Sequence, residues 1–298
     1  MELSKNQICS IIITYNPGEA FFELVRIIRN QVGKIVVVDN NSIRQIRDKL
    51  VETAGLLHFH LITNTKNHGI AKALNIGVSF ARKEGYQWVL TFDQDTKPFE
   101  NMVDILIKIH NSYPDKSRIG AIGSNAVKAN AEKYYNVPPG KEYVDKDYLI
   151  TSGCLLSSEA FFETGGFRED FFIDNVDLEY SLRLKKHGRV SLIAANCGMI
   201  HEAGYPFEKK IAGLKIASSG HSPWRRYYMA RNHVILSKEY IRSNPFFILK
   251  MNYFFLISLI KIILVEKDKK HKLLESIKGM KDGIIFTRPK STIKMSRQ

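Results

Sequence analysis

Apolar residues occur in short unbroken runs through the first half of the chain, and between those runs they recur at helical spacing. Ile8–Thr14 (ICSIIIT), Lys34–Asp39 (KIVVVD) and residues 57–63, 87–92 and 119–124 read as strands buried on both faces. Residues 19–30, the stretch up to about Ala54, the set Ile70, Ala73, Leu74, Gly77, Val78 and Ala81, and residues 100–112 each carry one apolar helical face. This alternation predicts an α/β fold, a doubly wound and mostly parallel central sheet flanked by helices. In such sheets ligands bind beyond the carboxyl ends of the strands.

The alternation fades after Ser124. SGCLLSSEAFFETGGF predicts a short strand, a helix and a glycine turn, and DLEYSLRLKKHG predicts a helix stopped by Gly188. Residues 190–195 read as one more strand, and residues 126–150 are polar and aromatic with a loop at Pro138-Pro139-Gly140. Residues 246–265 (FFILKMNYFFLISLIKIILV) approach the length of a membrane span, but Lys250, Asn252 and Lys261 interrupt them. A helix lying in a membrane interface fits this pattern better than a spanning one, and a core or dimer helix is the alternative.

Composition adds a charge argument. The net charge is +14, from 44 Lys and Arg against 30 Asp and Glu, and the excess gathers from Lys261 onward. Such a basic segment either meets an anionic surface or forms a solvated face. Its junction with the aromatic apolar segment favours attachment to the cytoplasmic face of a membrane. The leading MELSKNQICS has no apolar leader, so a cytoplasmic location is expected. Cys9, Cys154 and Cys197 lack metal-ligand spacing and read as buried thiols of a reducing compartment.

Polar residues gather where the strands end. The first strand ends in Thr14-Tyr15-Asn16, the second in Asp39-Asn40-Asn41-Ser42, the third in residues 64–69, and the fourth in Asp93-Gln94-Asp95. Neither a GxGxxG dinucleotide turn nor a GxxxxGK[ST] phosphate loop is present, so a bound nucleotide must be held in another way. Asp93 and Asp95, two apart in extended chain, point the same way and could share one hard cation, Mg²⁺ or Mn²⁺, that bridges to phosphate. A turn cap is the plainer reading of the pair. Asp39 could accept an N–H from a pyrimidine flanked by Thr14 and Tyr15, or could close an Asx-turn. Asn67, His68 and Gly69 open a helix whose amides favour an anion. In FREDFFIDNVDLEYSLR, Asp177 is a candidate base for an acceptor hydroxyl. The alternative there is a surface pair of Glu179 with Arg183 and a loop decorated by the other acids. His201 follows a strand and could be a further metal ligand.

Taken in order, ITYN, VVVDNNS, NHGIAKALNIG, TFDQDT, SGCLLSSEAFFETGGF, VDLEYSLRLKKHG and IHEAG resemble glycosyltransferase family 2, the inverting enzymes of GT-A fold. FFIDNVDLEYSLR, WRRYYMARN and KGMKDGI extend the resemblance toward bacterial rhamnosyltransferases of surface polysaccharide synthesis. The resemblance implies a GT-A catalytic domain over residues 1–205, with a nucleotide-binding half to about 125 and an acceptor half over 126–205. A helical, basic region over 206–298 would associate with the membrane. The resemblance also implies nucleotide contacts by Thr14, Tyr15, Asn16, Asp39, Asn67, His68 and Asp93. The metal would be held by Asp95, Asp93 and His201. Asp177 would be the base, with Asp174 an alternative because Val176 stands where the family has Glu. Glu179, Arg226 and Arg231 would meet the acceptor or its diphosphate. The implied partners are a dTDP-sugar donor, dTDP-L-rhamnose foremost, a lipid-linked glycan acceptor and the inner membrane surface, with a homodimer through the C-terminal region possible. The implied donor could also be another UDP- or dTDP-sugar. A nucleic-acid or lipid binder without catalysis would not need acids at two strand ends and again at 174 and 177. A nucleotidyltransferase would want a basic phosphate loop where TYNPGE stands.

Overall fold

A computed structural model describes residues 2–127, 132–201, 207–211 and 214–288. The chain divides into two compact units, one of residues 1–172 and 176–201, the other of 173–175 and 202–298.

The first unit follows the apolar pattern closely. Strand β1 (Ile8–Thr14) is buried at every position, and β2 (Lys34–Asp39) at all but Lys34. Helix α1 (Glu19–Ile28) lies between them, and α2 (Arg44–Leu57) leads to β3 (His60–Thr63). The third strand was expected to begin at 57, but α2 keeps Leu57, and His58 closes the helix in the left-handed conformation. Helix α3 (Ile70–Lys83) and β4 (Trp88–Asp93) follow. Strands β3, β2, β1 and β4 run parallel in that order. Beyond β4 come the short β5 (Lys97–Pro98), α4 (Met102–Ser112), β6 (Ile119–Val127) and β7 (Tyr143–Asp145). Then β8 (Cys154–Ser157) leads into α5 (Ser158–Thr164), α6 (Val176–Lys186) and β9 (Val190–Ile200).

The sheet continues from β4 through β8, β6 and β9 to β5, with β7 also on β9. Strand β8 is antiparallel to both its neighbours, while β6 and β9 are parallel. The mostly parallel prediction therefore holds, with antiparallel pairing confined to β5, β7 and β8.

Helix α3 sits unusually close to the sheet. A Cβ on Gly77 would meet Ile11 Cγ2 at 2.4 Å, so only glycine fits that contact. Its neighbour Asn75 holds Phe167 by both backbone groups, donating to the carbonyl at 2.9 Å and accepting from the amide at 2.8 Å. Cys9 and Cys154 are buried free thiols, and burial pushes Cys9 up to about 12.

The region over 206–298 was expected to be helical. It begins instead with a hairpin, β10 (Phe207–Ile211) and β11 (Leu214–Ser218), before α7 (Pro223–Tyr240), α8 (Pro245–Val265) and α9 (Lys269–Ile285). The hairpin's lysines at 209, 210 and 215 are exposed, so it carries no apolar run that would betray a strand. Residues 202–204 of IHEAG and 289–298 of the basic tail lie outside the described residues.

Candidate metal and nucleotide site

The carboxyl ends of β1, β2, β3 and β4 are tied together by side chains from the turns that follow them. Asp39 is fully buried. Its Oδ1 accepts from the Thr14 hydroxyl at 3.0 Å and from the Ser42 hydroxyl, and its Oδ2 accepts from the Ser42 amide at 2.9 Å. The carboxylate thus bonds backbone three residues on, at Ser42, and not at Asn41. Asp39 and Thr14 are both buried, and the Asp39 carboxylate is held within the protein. What they do is fix the two turns. Asn16 and Asn41 stand in left-handed backbone, which asparagine tolerates. Asn16 accepts from the Ile43 amide and donates its own amide to Ser42. Tyr15, half exposed, and Asn16, also exposed, are the members of TYN that reach solvent.

Two residues that sequence reasoning left without a role complete this network. Asn40 donates to the Gly69 carbonyl and accepts from the Asn64 amide group and the His68 amide, joining the ends of β2 and β3 to the start of α3. Gln94, between the two acids of DQD, accepts from the Tyr15 amide at 2.7 Å and donates to the Tyr15 carbonyl at 3.3 Å, locking β4 to β1. Neither role has a local signature, because each bonds across tens of residues. Asn67 caps the Gly69 amide, and the first amide of α3, Ile70, donates to the Phe172 carbonyl. That helix start therefore has one amide fewer for an anion than its sequence promised.

Asp93, Asp95 and His201 come together as predicted, each offering a ligand atom within 4.8 Å of the others. His201 Nε2 lies 3.9 Å from Asp93 Oδ2, and its side chain is 11% exposed. Its other nitrogen, Nδ1, is 3.2 Å from the Thr96 hydroxyl, and Thr96 is 2.5 Å from the Ser152 hydroxyl. Ser152 in turn accepts from the Asp93 amide at 3.2 Å. Thr96 and Ser152 are buried, so this chain of hydroxyls is fixed by packing. It holds Nδ1 and turns Nε2 toward the carboxylates, the arrangement of an orienting partner behind a metal-bound imidazole. Two carboxylates and one imidazole nitrogen suit a hard or borderline divalent cation. The residues present fit a divalent metal.

Asp177 opens α6, where the helix dipole favours a carboxylate, and accepts from the Leu178 amide at 2.8 Å. Its charge reaches Cys154, whose thiol is raised by burial first and by Asp177 second. Cys154 pairs with Thr91, two residues before Asp93. Asp174 belongs to the second unit. It stands in left-handed backbone and takes both Nε and Nη2 of Arg225, at 3.0 and 2.9 Å.

Two further expectations need correction. Glu179 is fully buried, with both oxygens held by Arg183, so it does not meet an acceptor, and its pair with Arg183 is internal rather than on the surface. Arg226 is buried in the second unit against Glu266, which Lys272 also binds, so it is not placed to grip a diphosphate. Arg231 donates to the Asn232 side chain and stacks over Phe286.

A parallel-strand nucleotide fold with an Asp-x-Asp metal cluster at the sheet's carboxyl end is the design of a GT-A glycosyltransferase. The chain belongs to glycosyl transferase family 2, whose profile matches residues 9–167, more than half its length. It is 31% identical over 296 residues to the dTDP-rhamnosyl transferase RfbF of Shigella flexneri, covering 94% of this chain and 96% of that protein. Among solved structures it resembles S. aureus TarS 1-349 in complex with UDP-GlcNAc (TM-score 0.60, 14% identity, 93% of this chain and 80% of that one). It also resembles the mannosyltransferase PcManGT of Pyrobaculum calidifontis in complex with GDP-Man and Mn²⁺ (TM-score 0.56, 17% identity, 97% and 79%). At these identities the two structures speak to the fold.

Proposed function

We propose that this enzyme transfers L-rhamnose from dTDP-L-rhamnose, with inversion, to a lipid-linked glycan during bacterial surface polysaccharide synthesis. The observation that carries this reading is the 31% identity to a dTDP-rhamnosyl transferase along nearly the whole of both chains. The Asp93, Asp95 and His201 cluster agrees with it. Bound there, Mg²⁺ or Mn²⁺ would act as a Lewis acid toward the departing diphosphate. The nucleoside lies along the network of Tyr15, Asn16, Asn67 and His68, whose turns are set from beneath by Asp39, Asn40 and Gln94. Asp177 takes the proton of the acceptor hydroxyl as that oxygen attacks the anomeric carbon. Asp174 is less suited to this, because Arg225 already satisfies its carboxylate from two nitrogens.

The enzyme works at the cytoplasmic face of the membrane, held by α8. That helix is 21 residues long and apolar enough to cross a membrane by length and composition, yet most of it is not buried. Phe246, Leu249, Tyr253, Leu256, Ile260 and Ile263 form an exposed stripe along it.

Purified protein incubated with UDP-, GDP- and dTDP-sugars, with and without chelator, tests the reading by nucleoside diphosphate release. The expected result is metal-dependent turnover with dTDP-L-rhamnose preferred. Asp177→Asn should lose about 10²–10⁴-fold in transfer while Asp174→Asn loses far less. Preference for a different donor, or synthesis of a nucleotide sugar from a sugar phosphate, overturns it.

A further inference from the structure

Resting on the transfer reading above, we propose that Tyr148 forms the acceptor subsite, where one pyranose ring of the acceptor packs beside Asp177, with Tyr135 as its positioning residue. The backbone builds this corner directly. The amide of Leu149 donates to the Ser181 hydroxyl at 3.2 Å, and that hydroxyl donates to the Asp177 carbonyl at 2.9 Å. One side chain thus fastens the residue next to Tyr148 onto the first turn of α6. Tyr148 itself remains 38% exposed.

Tyr135 supports it from within. Its ring meets that of Tyr148 edge-on at 6.1 Å, and Asn125 grips its backbone from both sides, at 2.8 and 3.2 Å. Its hydroxyl is buried without a hydrogen bond of ordinary geometry, facing Tyr148 and the Ile150 backbone. A sugar hydroxyl seated against Tyr148 would extend this pair of phenols outward to the acceptor. Burial first, and the Asp177 charge second, raise the Tyr148 hydroxyl, so it stays a proton donor at neutral pH.

The preceding residue points elsewhere. Tyr134 faces His201, with ring centroids 6.2 Å apart. Consecutive tyrosines therefore attend the two places that transfer needs, the metal cluster that holds the donor and the carboxylate that takes the acceptor proton. The apolar face of a pyranose packs well on an aromatic ring, and a phenol at its edge supplies the polar contact.

The test uses the full chain and three soluble probes, the methyl glycosides of L-rhamnose, galactose and N-acetylglucosamine. Saturation-transfer NMR reads their binding, and dTDP release without acceptor reads donor hydrolysis. Tyr148→Ala should weaken the best-bound probe at least tenfold, with the melting temperature little changed. Tyr148→Leu, which keeps bulk, should behave alike and guards against a folding artefact. Tyr135→Phe should weaken the same probe severalfold. Unchanged probe affinity in the Tyr148 variants, or no binding of any probe to the wild type, overturns the subsite. The binding arm needs no donor, so absence of dTDP-sugar turnover would strike the transfer reading and not this one.

Discussion

At the scale of single residues, the candidate metal cluster is backed by two hydroxyls, those of Thr96 and Ser152. Were Nε2 to hold a cation, Nδ1 would carry the proton and donate to Thr96, which would donate onward to Ser152. Replacing Thr96 by valine keeps the shape and removes the acceptor, leaving the imidazole free to turn or to take the wrong tautomer. Thr96→Val is expected to weaken Mn²⁺ binding by about 10–100-fold, read by electron paramagnetic resonance titration of the purified protein. Unchanged affinity would mean that packing alone orients His201. Asp93, Asp95 and His201 could be nominated from sequence because each is a ligand-type residue at a strand end. Thr96 and Ser152 could not, because hydroxyls are ordinary in turns and their partners lie 105 and 56 residues away. Glu179 misled for the opposite reason. Its i,i+4 spacing to Arg183 suggested a solvated pair, and only the packing around α6 reveals that both are buried.

At the scale of elements, the strands of the nucleotide half were legible because a parallel strand covered on both faces must be apolar throughout, as β1 is. The glycines of the segment KGMKDGI had no role in such a reading. In the structure they let α9 press on α7. A Cβ on Gly279 would lie 2.2 Å from the Tyr227 carbonyl oxygen, and one on Gly283 would lie 2.7 Å from that of Arg231. Their spacing of four puts them on one face of α9, where the Asp282 carboxylate also accepts from the Tyr227 hydroxyl at 2.8 Å. Backbone cannot withdraw as a flexible side chain would, so any added atom pushes the helices apart. Gly279→Val should lower stability by about 1–3 kcal/mol, seen as an earlier unfolding transition in denaturant, with the metal affinity of the first unit retained. A variant as stable as the parent would show that the helices shift at no cost. Helix–helix approach of this kind has no periodic signature in one sequence, because the reason for each glycine lies on the other helix.

At the scale of the whole molecule, the +14 charge and the bare apolar stripe of α8 need a common explanation. Helix α8 carries Lys250 and Lys261 and no acidic residue, and α9 adds exposed Leu274, Ile277, Ile284 and Ile285 among further lysines. A second copy of the chain would set like charges against each other along this helix, whereas an anionic bilayer accepts both the lysines and the aromatic stripe. The full chain should therefore bind vesicles containing phosphatidylglycerol much more strongly than vesicles of phosphatidylcholine alone. Added salt should weaken the binding without abolishing it, since the apolar face is indifferent to screening. Phe246→Ser, Leu249→Ser and Tyr253→Ser together remove three of the stripe's large side chains and should lower vesicle affinity at least tenfold, given about 1.5–3 kcal/mol for each side chain fully withdrawn from water. Donor hydrolysis in solution should persist, because these residues lie outside the unit that holds the metal cluster. If the triple variant instead kept its vesicle binding, or lost a concentration-dependent dimer seen without lipid, the stripe would be a seam between copies. The attachment would then have to come from charge alone.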